Sequence, residues 1–494
     1  MTDKWQIVNI MSEKPLTLQA KTNLSEQNMN RRDFLKKSAM MTVAVGASEV
    51  VQASSLVDTI AAEGAAPATA ADANDTPSQL IVSAPVLQNY AETSIGIAFA
   101  VSDMANGYVV IGEQSDLSDG RKVMAGGYRT TEISDRVVQV RITGLKPATT
   151  YYYRIGAERI SYKSGYNMKA LGAEDDPRTY RFTTAGAGAH AHFCVINDTH
   201  ASWRPFGLAI DKVAQLAPTC VVWNGDACNS EETIEAQMRI FLTPAIERKD
   251  FAAQLPYLFC SGNHDFRGMA NRHLERVWMY RQPEERSTRD WDLGRNFAVR
   301  MGEIAMIGLD TGEDKLDSNP KFAGLFNMKA YREAQTAWLR DALQRPEIVS
   351  APYLVAFCHI PLFDPNPKHN PGDLAPADTD PRYSTDYAMW QRTCADMWSP
   401  LLSEARCQLI ITAHQHRYRY DAPTAERPWA QIVGGGPEMP KVKDNKRPSE
   451  FPTVIDGEVR QGQLHITIHN LLMGDVQETF TFAPRKLGKQ KRRK

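Results

Sequence analysis

Seven cysteines among 494 residues are too few, and odd in number, for a disulfide scaffold. Neither sign of charge is in excess: 57 Lys and Arg stand against 58 Asp and Glu, a formal net charge of −1. A balance that close to zero gives no reason to expect nucleic acid or an anionic membrane as the main partner. Long apolar runs are missing as well. No uncharged run reaches the roughly 18 residues of a helical span, so stable membrane insertion is not expected. What is there is a 43% apolar composition, enough to build buried cores. At roughly 100–200 residues per domain the length predicts about three units.

The N-terminal region reads as an address. Residues Asn30 to Lys37 run N-R-R-D-F-L-K-K, and a modest apolar stretch follows from Ser38 to Ser48. Small-residue cleavage options come at Ala47 and Ala53. The paired Arg31 and Arg32 resemble the twin-arginine export signal of bacteria. Residues 1–53 are therefore expected to be an N-terminal extension and signal, with Met1 and Met29 as alternative starts. Residues 54–78, rich in Ala, Pro and Thr, read as a disordered linker. The resemblance implies a periplasmic or extracellular destination, the twin-arginine translocase as a transient partner, and folding in a reducing cytoplasm before export. Cys194, Cys220, Cys260 and Cys358 lie inside apolar runs and read as reduced core residues, in agreement.

Between 79 and 185 the pattern has period two. Ile95, Ile97, Phe99 and Val101 alternate with small residues, and Val138, Val140 and Ile142 alternate with Gln139 and Arg141. No helical period interrupts, which predicts a β-sandwich. The run Leu145-Lys146-Pro147-Ala148-Thr149-Thr150-Tyr151-Tyr152-Tyr153 resembles the fibronectin type III signature. From 190 to 484 short apolar runs alternate with amphipathic stretches, as expected of an α/β domain. One such stretch is 331–344, where Ala334, Ala337, Trp338 and Ala342 share a helical face. Residues 485–494 form a basic tail, expected to be solvated.

Five of the apolar runs end in a polar cluster. His192 to Ile196 leads into Asn197-Asp198-Thr199-His200, and Cys220 to Trp223 into Asn224-Gly225-Asp226. Tyr257 to Cys260 leads into Gly262-Asn263-His264-Asp265, Tyr353 to Cys358 into His359-Ile360-Pro361, and Leu409 to Thr412 into Ala413-His414-Gln415-His416. The carboxyl ends of strands are where open α/β sheets bind ligands, so the clusters should converge. Taken singly, each has an ordinary reading as a loop, a turn or a satisfied core histidine. Five in succession, all at strand ends, make one site. Asp198, His200, Asp226, Asn263, His359, His414 and His416 offer oxygen or imidazole nitrogen and no thiolate. That donor chemistry suits Mn, Fe, Zn or Co. Seven ligands are too many for one tetrahedral ion but fit two ions that share a carboxylate.

The order of these motifs resembles the calcineurin-like metallophosphoesterase superfamily, from Phe193 to about Gly436. A fibronectin-like module in front resembles the purple acid phosphatase architecture. The resemblance implies an α/β four-layer metallophosphoesterase sandwich preceded by the small all-β sandwich. It implies one transition-metal ion, divalent or trivalent, on Asp198, His200, Asp226 and His416. A second would sit on Asp226, Asn263, His359 and His414. It also implies attack on a phosphate ester by a hydroxide between the metals, with His264 as the proton donor to the leaving oxygen. Arg267, Arg204 and Arg417 adjoin the motifs and are candidates for gripping phosphate. Trp203 is a candidate for stacking a substrate ring, whereas Trp223 ends a strand and reads as core. Asn229 departs from the pattern: purple acid phosphatases have a tyrosine there, and phosphoprotein phosphatases an aspartate. An amide supplies no phenolate colour, so a colourless enzyme is expected, with His264 oriented only by a neutral hydrogen bond.

The leading reading is thus an exported two-metal phosphohydrolase acting on a small phosphate ester. The alternatives are a phosphodiesterase or nucleotidase of the same superfamily, or a non-catalytic protein that binds glycan or protein. The intact ligand set argues against the last of these.

Overall fold

A computed structural model describes residues 79–126, 135–280, 291–365, 390, 393, 396–442 and 447–486. The expected signal and linker, most of loop 362–390 and all but the first two residues of the basic tail lie outside the described residues. The first segment is all β: β1 (Val86–Gln88), β2 (Ser94–Ala100), β3 (Ala105–Gly112), β4 (Arg121–Met124), β5 (Val137–Thr143), β6 (Thr150–Ser164), β7 (Asn167–Asp175) and β8 (Tyr180–Thr183). Next come β9 (His192–Ile196), α1 (Trp203–Leu216), β10 (Cys220–Asn224), α2 (Ile234–Phe241), β11 (Tyr257–Cys260), β12 (Phe297–Met301) and β13 (Ile304–Leu309). The chain continues through α3 (Met328–Ala342), α4 (Pro346–Val349), β14 (Tyr353–Cys358), α5 (Ser399–Glu404), β15 (Leu409–Thr412), β16 (Arg419–Asp421) and β17 (Ala430–Val433). A meander of β18 (Thr453–Arg460), β19 (Gln463–Asn470) and β20 (Asp475–Phe482) follows.

Two large sheets face each other. One has nine strands in the order β20-β19-β18-β9-β10-β11-β1-β2-β5, and the other six in the order β12-β13-β14-β15-β17-β16. The layer between them holds Phe193, Val195, Val222 and Leu258 from the first sheet against Met306, Val355, Phe357 and Ile411 from the second. The strands contributing these residues are buried on both faces, which is why they read as continuous apolar runs rather than alternations. Outside the first sheet α1 and α2 lay Phe206, Ile210, Val213, Ile240 and Phe241 on Val221, Trp223 and Phe259. Outside the second, α3 and α5 cover Ile307, Leu354 and Ile410 with Leu339, Ala342 and Leu402. The result is the expected α/β-β/α four-layer sandwich.

The alternation in β2 and β5 does what period two requires. Ile95, Ile97, Phe99, Val138, Val140 and Ile142 face Val109, Tyr153 and Ile155 of a five-stranded sheet of β4-β3-β6-β7 with β8. The other face of the same strands, Val86, Ala98 and Ala100, joins the α/β core. Sandwich and α/β region therefore share a sheet. β1 runs parallel to β11 with Gln88 opposite Tyr257. Gln88 Nε2 also donates to the Val277 carbonyl at 3.0 Å, and its Oε1 accepts from Met279 N at 2.8 Å.

The helix expected over 331–344 forms as α3, but its buried face is partly polar and Ala337 is exposed. Gln335 Nε2 donates to the Asp310 carbonyl at 2.6 Å, and Arg332 Nη2 to the Thr311 and Glu313 carbonyls at 3.0 and 2.6 Å. These side chains satisfy the loop that leaves β13, a task that alanines cannot perform.

Candidate metal centre

β9, β10 and β11 are parallel neighbours in one sheet, and β14 and β15 are parallel neighbours in the other. Their carboxyl ends meet across the sandwich and bring the seven expected residues together. His359 Nε2 lies 3.2 Å from Asp226 Oδ2 and 3.8 Å from Asp198 Oδ1. His200 Nε2 is 3.5 Å from Asp226 Oδ2, and His416 Nε2 is 3.5 Å from Asp198 Oδ1. His414 Nδ1 donates to Asn263 Oδ1 at 3.0 Å. Two ligand groups result, Asp198 with His200, Asp226 and His416, and Asp226 with His359 and His414. Asp226 belongs to both.

The backbone is bent to make this possible. Asp198, His200, Asp226, His414 and His416 have φ of 45°, 44°, 50°, 70° and 56°. Left-handed conformations in side-chain-bearing residues cost on the order of 1 kcal/mol or more each and persist where their surroundings enforce them. Asp265 is one enforcer. Its buried carboxylate accepts from Asp226 N, Cys228 N and Gly262 N at 2.9, 2.9 and 2.7 Å. Burial, then the nearby Asp226 charge, push it up to about 7. Gly225 is another requirement: φ is 84° there, and a Cβ would collide with the His359 ring.

Outer partners fix the imidazoles. His359 Nδ1 donates to the Asn224 carbonyl at 2.9 Å, His200 Nδ1 to Asn229 Oδ1 at 2.8 Å, and His416 Nδ1 to Glu438 Oε1 at 2.6 Å. Each ring thereby turns Nε2 inward, the arrangement that metal-ligating histidines require. His359 Nε2 is buried with no hydrogen-bond partner. His200 and His416 point their Nε2 atoms at each other across 3.1 Å, two lone pairs that only a cation or a shared proton reconciles. Burial alone would lower His416, but Asp198 and then Glu438 raise it to about 11. Burial likewise opposes the charge on His359, and Asp226 and Asp198 overcome it. The carboxylates thus favour the charged form of these two rings. The donor set and the orphaned nitrogen both fit a pair of transition-metal ions.

The neighbouring residues divide differently from expectation. His264 sits beside the centre, its ring 4.9 Å from that of His200. Its Nδ1 donates to the Asn229 carbonyl at 3.0 Å, and its Nε2 accepts from Arg267 Nη1 at 3.0 Å. Asn229 therefore orients His264 through its backbone and spends its amide oxygen on His200. Arg267 is at the site but not free: Glu313 engages it at 2.9 and 2.6 Å and Asp314 at 3.0 Å. Arg204 is exposed and lines a separate cleft with Gly207, Asp211 and Arg248, away from the centre. Arg417 pairs with Glu450 at 2.6 Å. Adjacency in sequence placed these two arginines near the motifs, but helix and strand direction turn them elsewhere. Trp203 packs against the α1 core, and Trp223 is buried on Phe206. Glu313, Asp314 and Glu438 are additions that no sequence pattern marked, while Asp265 belongs to the Gly262–Asp265 cluster, where the pattern assigns it no role. Asp314 Oδ2 comes within 3.8 Å of His414 Nε2.

A four-layer sandwich with two ligand groups joined by one carboxylate at its facing strand ends defines a metal-dependent phosphoesterase, a hydrolase. Residues 191–418 match the calcineurin-like phosphoesterase family. The architecture is similar to that of a purple acid phosphatase from yellow lupin (Lupinus luteus) seeds, with a TM-score of 0.53 and 14% identity over 81% of this chain and 74% of that one. It is also similar to PhoD, with a TM-score of 0.52 and 12% identity over 84% of this chain and 95% of that one. No curated protein matches the sequence.

Proposed function

We propose that this chain is an exported two-metal phosphohydrolase that cleaves small phosphate esters in the periplasm or outside the cell. The observation that carries the reading is the position of Asp226 in both ligand groups. In this reading Asp198, His200, Asp226 and His416 hold one ion, and Asp226, Asn263, His359 and His414 the other. Ions held there would supply Lewis acidity toward the phosphoryl oxygens and would lower the pKa of a bound water. His264 holds its proton at Nδ1 against Asn229 and leaves Nε2 to Arg267. Protonating a leaving oxygen from Nε2 requires Arg267 to swing from His264 toward the phosphate, which the substrate's charge favours, and Nε2 to take up a second proton from water, so that the imidazolium is the donor and returns to the neutral Nδ1–H form. With the Asn229 amide oxygen committed to His200, that position supplies no phenolate, and the protein is expected to be colourless. An intense visible absorption in the iron-loaded protein would count against this. The twin-arginine motif supports export, and the same reading divides the chain into a sandwich over 79–185 and a phosphoesterase domain over 190–484.

One observation favours a diester over a monoester. Among the described residues, the arginine beside the centre is already neutralised by Glu313 and Asp314. A monoester dianion needs more positive charge than a diester monoanion. Hydrolysis of bis-p-nitrophenyl phosphate and p-nitrophenyl phosphate by the metal-replete protein tests both points. Faster turnover of the diester supports the second reading, and no turnover of either with two ions bound sinks the first.

A further inference from the structure

A buried cluster of charge stands against the centre without joining either ligand group. Its acids, Glu313 and Asp314, are 0% and 3% exposed, and its cations are Arg267 and Lys315. Glu313 grips Arg267 through both oxygens, and its Oε1 also accepts from Asp314 N at 3.0 Å. Asp314 reaches further. Its Oδ1 accepts from Arg267 Nη2 at 3.0 Å and from Lys315 Nζ at 2.9 Å, and its Oδ2 accepts from Lys315 Nζ at 3.0 Å. The same Oδ2 faces His414 Nε2 at 3.8 Å. Two acids and two cations balance in charge, as burial requires. That balance accounts for Glu313, but not for the imidazole in front of Asp314.

His414 is turned the opposite way from its neighbours. His200, His359 and His416 aim Nε2 inward, whereas His414 places Nδ1 beside another ligand candidate, Asn263 Oδ1, at 3.0 Å. Its Nε2 is left on the side of Asp314. A neutral imidazole carries one proton, on one nitrogen or the other. While Nδ1 donates to Asn263, Nε2 presents a lone pair to a carboxylate, and the two repel. When Nδ1 gives its lone pair to an ion, the proton stands on Nε2 and is offered to Asp314 Oδ2. Only this second tautomer suits the carboxylate. From 3.8 Å the contact needs to shorten by roughly 0.6–1 Å to become an ordinary hydrogen bond.

We propose that Asp314 is a positioning residue of the centre: it selects the His414 tautomer that presents Nδ1 to the second ion and holds the ring through Nε2–H. The proposal rests on the two-ion reading above. Histidine ligands are ordinarily held by a group on the other ring nitrogen, and removing that group weakens metal binding about 10–100-fold. His359, His200 and His416 have the Asn224 carbonyl, the Asn229 amide oxygen and Glu438 in that role. Asp314 completes the set. The proton passes between the two nitrogens of His414 through water, so the ring neither gains nor loses charge.

Zn2+ affinity is measured for both ions by competition with a chelator in the full-length protein, the second ion being the one lost in His359→Asn. Asp314→Asn should weaken the second ion at least about tenfold and leave the first unchanged. Glu313→Gln, which disturbs the same Arg267 but not His414, should leave both unchanged. Unchanged affinity in Asp314→Asn, or an equal loss in Glu313→Gln, overturns the proposal. A wild-type protein that binds fewer than two ions instead sinks the reading beneath it. Should Asp314→Asn fail to fold by circular dichroism, nitrogen-15 spectra of the Zn2+-loaded wild type decide. The ring signals that disappear in His414→Gln should report a metal-bound Nδ1 and a protonated Nε2, and a metal-bound Nε2 is the overturning result.

Discussion

The two ends of β9 bear similar residues held in opposite ways. At the carboxyl end the acids and histidines stand on loops whose backbone is forced into left-handed conformations. They leave Nε2 atoms aimed into a cleft. Before that end, His192, Cys194, Asp456 and His469 stand on paired strands of the same sheet and face one another. Loops leave room for a ligand to reach such side chains, whereas on paired strands they satisfy one another. The same residue types therefore make an open site or a closed cluster according to whether strand pairing has ended.

The largest effect that tests this contrast is at the open end. Asp226→Asn should cost at least about 10³-fold in kcat/KM, because several kcal/mol of charge stabilisation are lost with the ions. Elemental analysis should show that fewer than two catalytic ions remain. His264→Ala should cost about 10²-fold and keep both ions, since it ligates neither; loss of metal in that variant would recast it as a structural residue. Glu438→Gln should weaken binding of the ion on His416 by about tenfold, measured by competition with a chelator, because a neutral amide holds the ring less firmly. The smallest effect is at the closed end. Burial would raise the Asp456 carboxyl, but the hydrogen bond with His192 and the nearby His469 imidazole bring it down to about 2. Its contribution to stability is thus present above the ordinary carboxylate value and is lost as the pH falls toward 2. Asp456→Asn should flatten that part of the acid-unfolding curve, and an unchanged curve would show that the pair contributes nothing.

The open site was largely legible because each ligand follows a buried strand, and a polar cluster after an apolar run leaves a visible edge in the sequence. Its supports were not. Glu313 and Asp314 follow β13 with no periodicity to mark them, and Glu438 meets His416 only because the loop after β17 folds back. Arg204 and Arg417 show the converse error, since a residue next to a motif inherits its position but not its direction. The sandwich was legible from alternation alone. Its fusion to the α/β sheet through β1 and β11 was not, because pairing between residues 88 and 257 has no local signature.

That fusion bears on how the protein can be handled. The N-terminal sandwich looks like a module that could be trimmed from an expression clone, yet cutting at 185 would remove β1, β2 and β5, the last three strands at one end of a continuous ladder. β11 would become a bare edge of unpaired amides and carbonyls, and the Trp223 layer beneath would lose the cover of Val86, Ala98 and Ala100. Exposed flat edges recruit other chains, so the shortened protein should be recovered as aggregate or inclusion bodies instead of a soluble monomer.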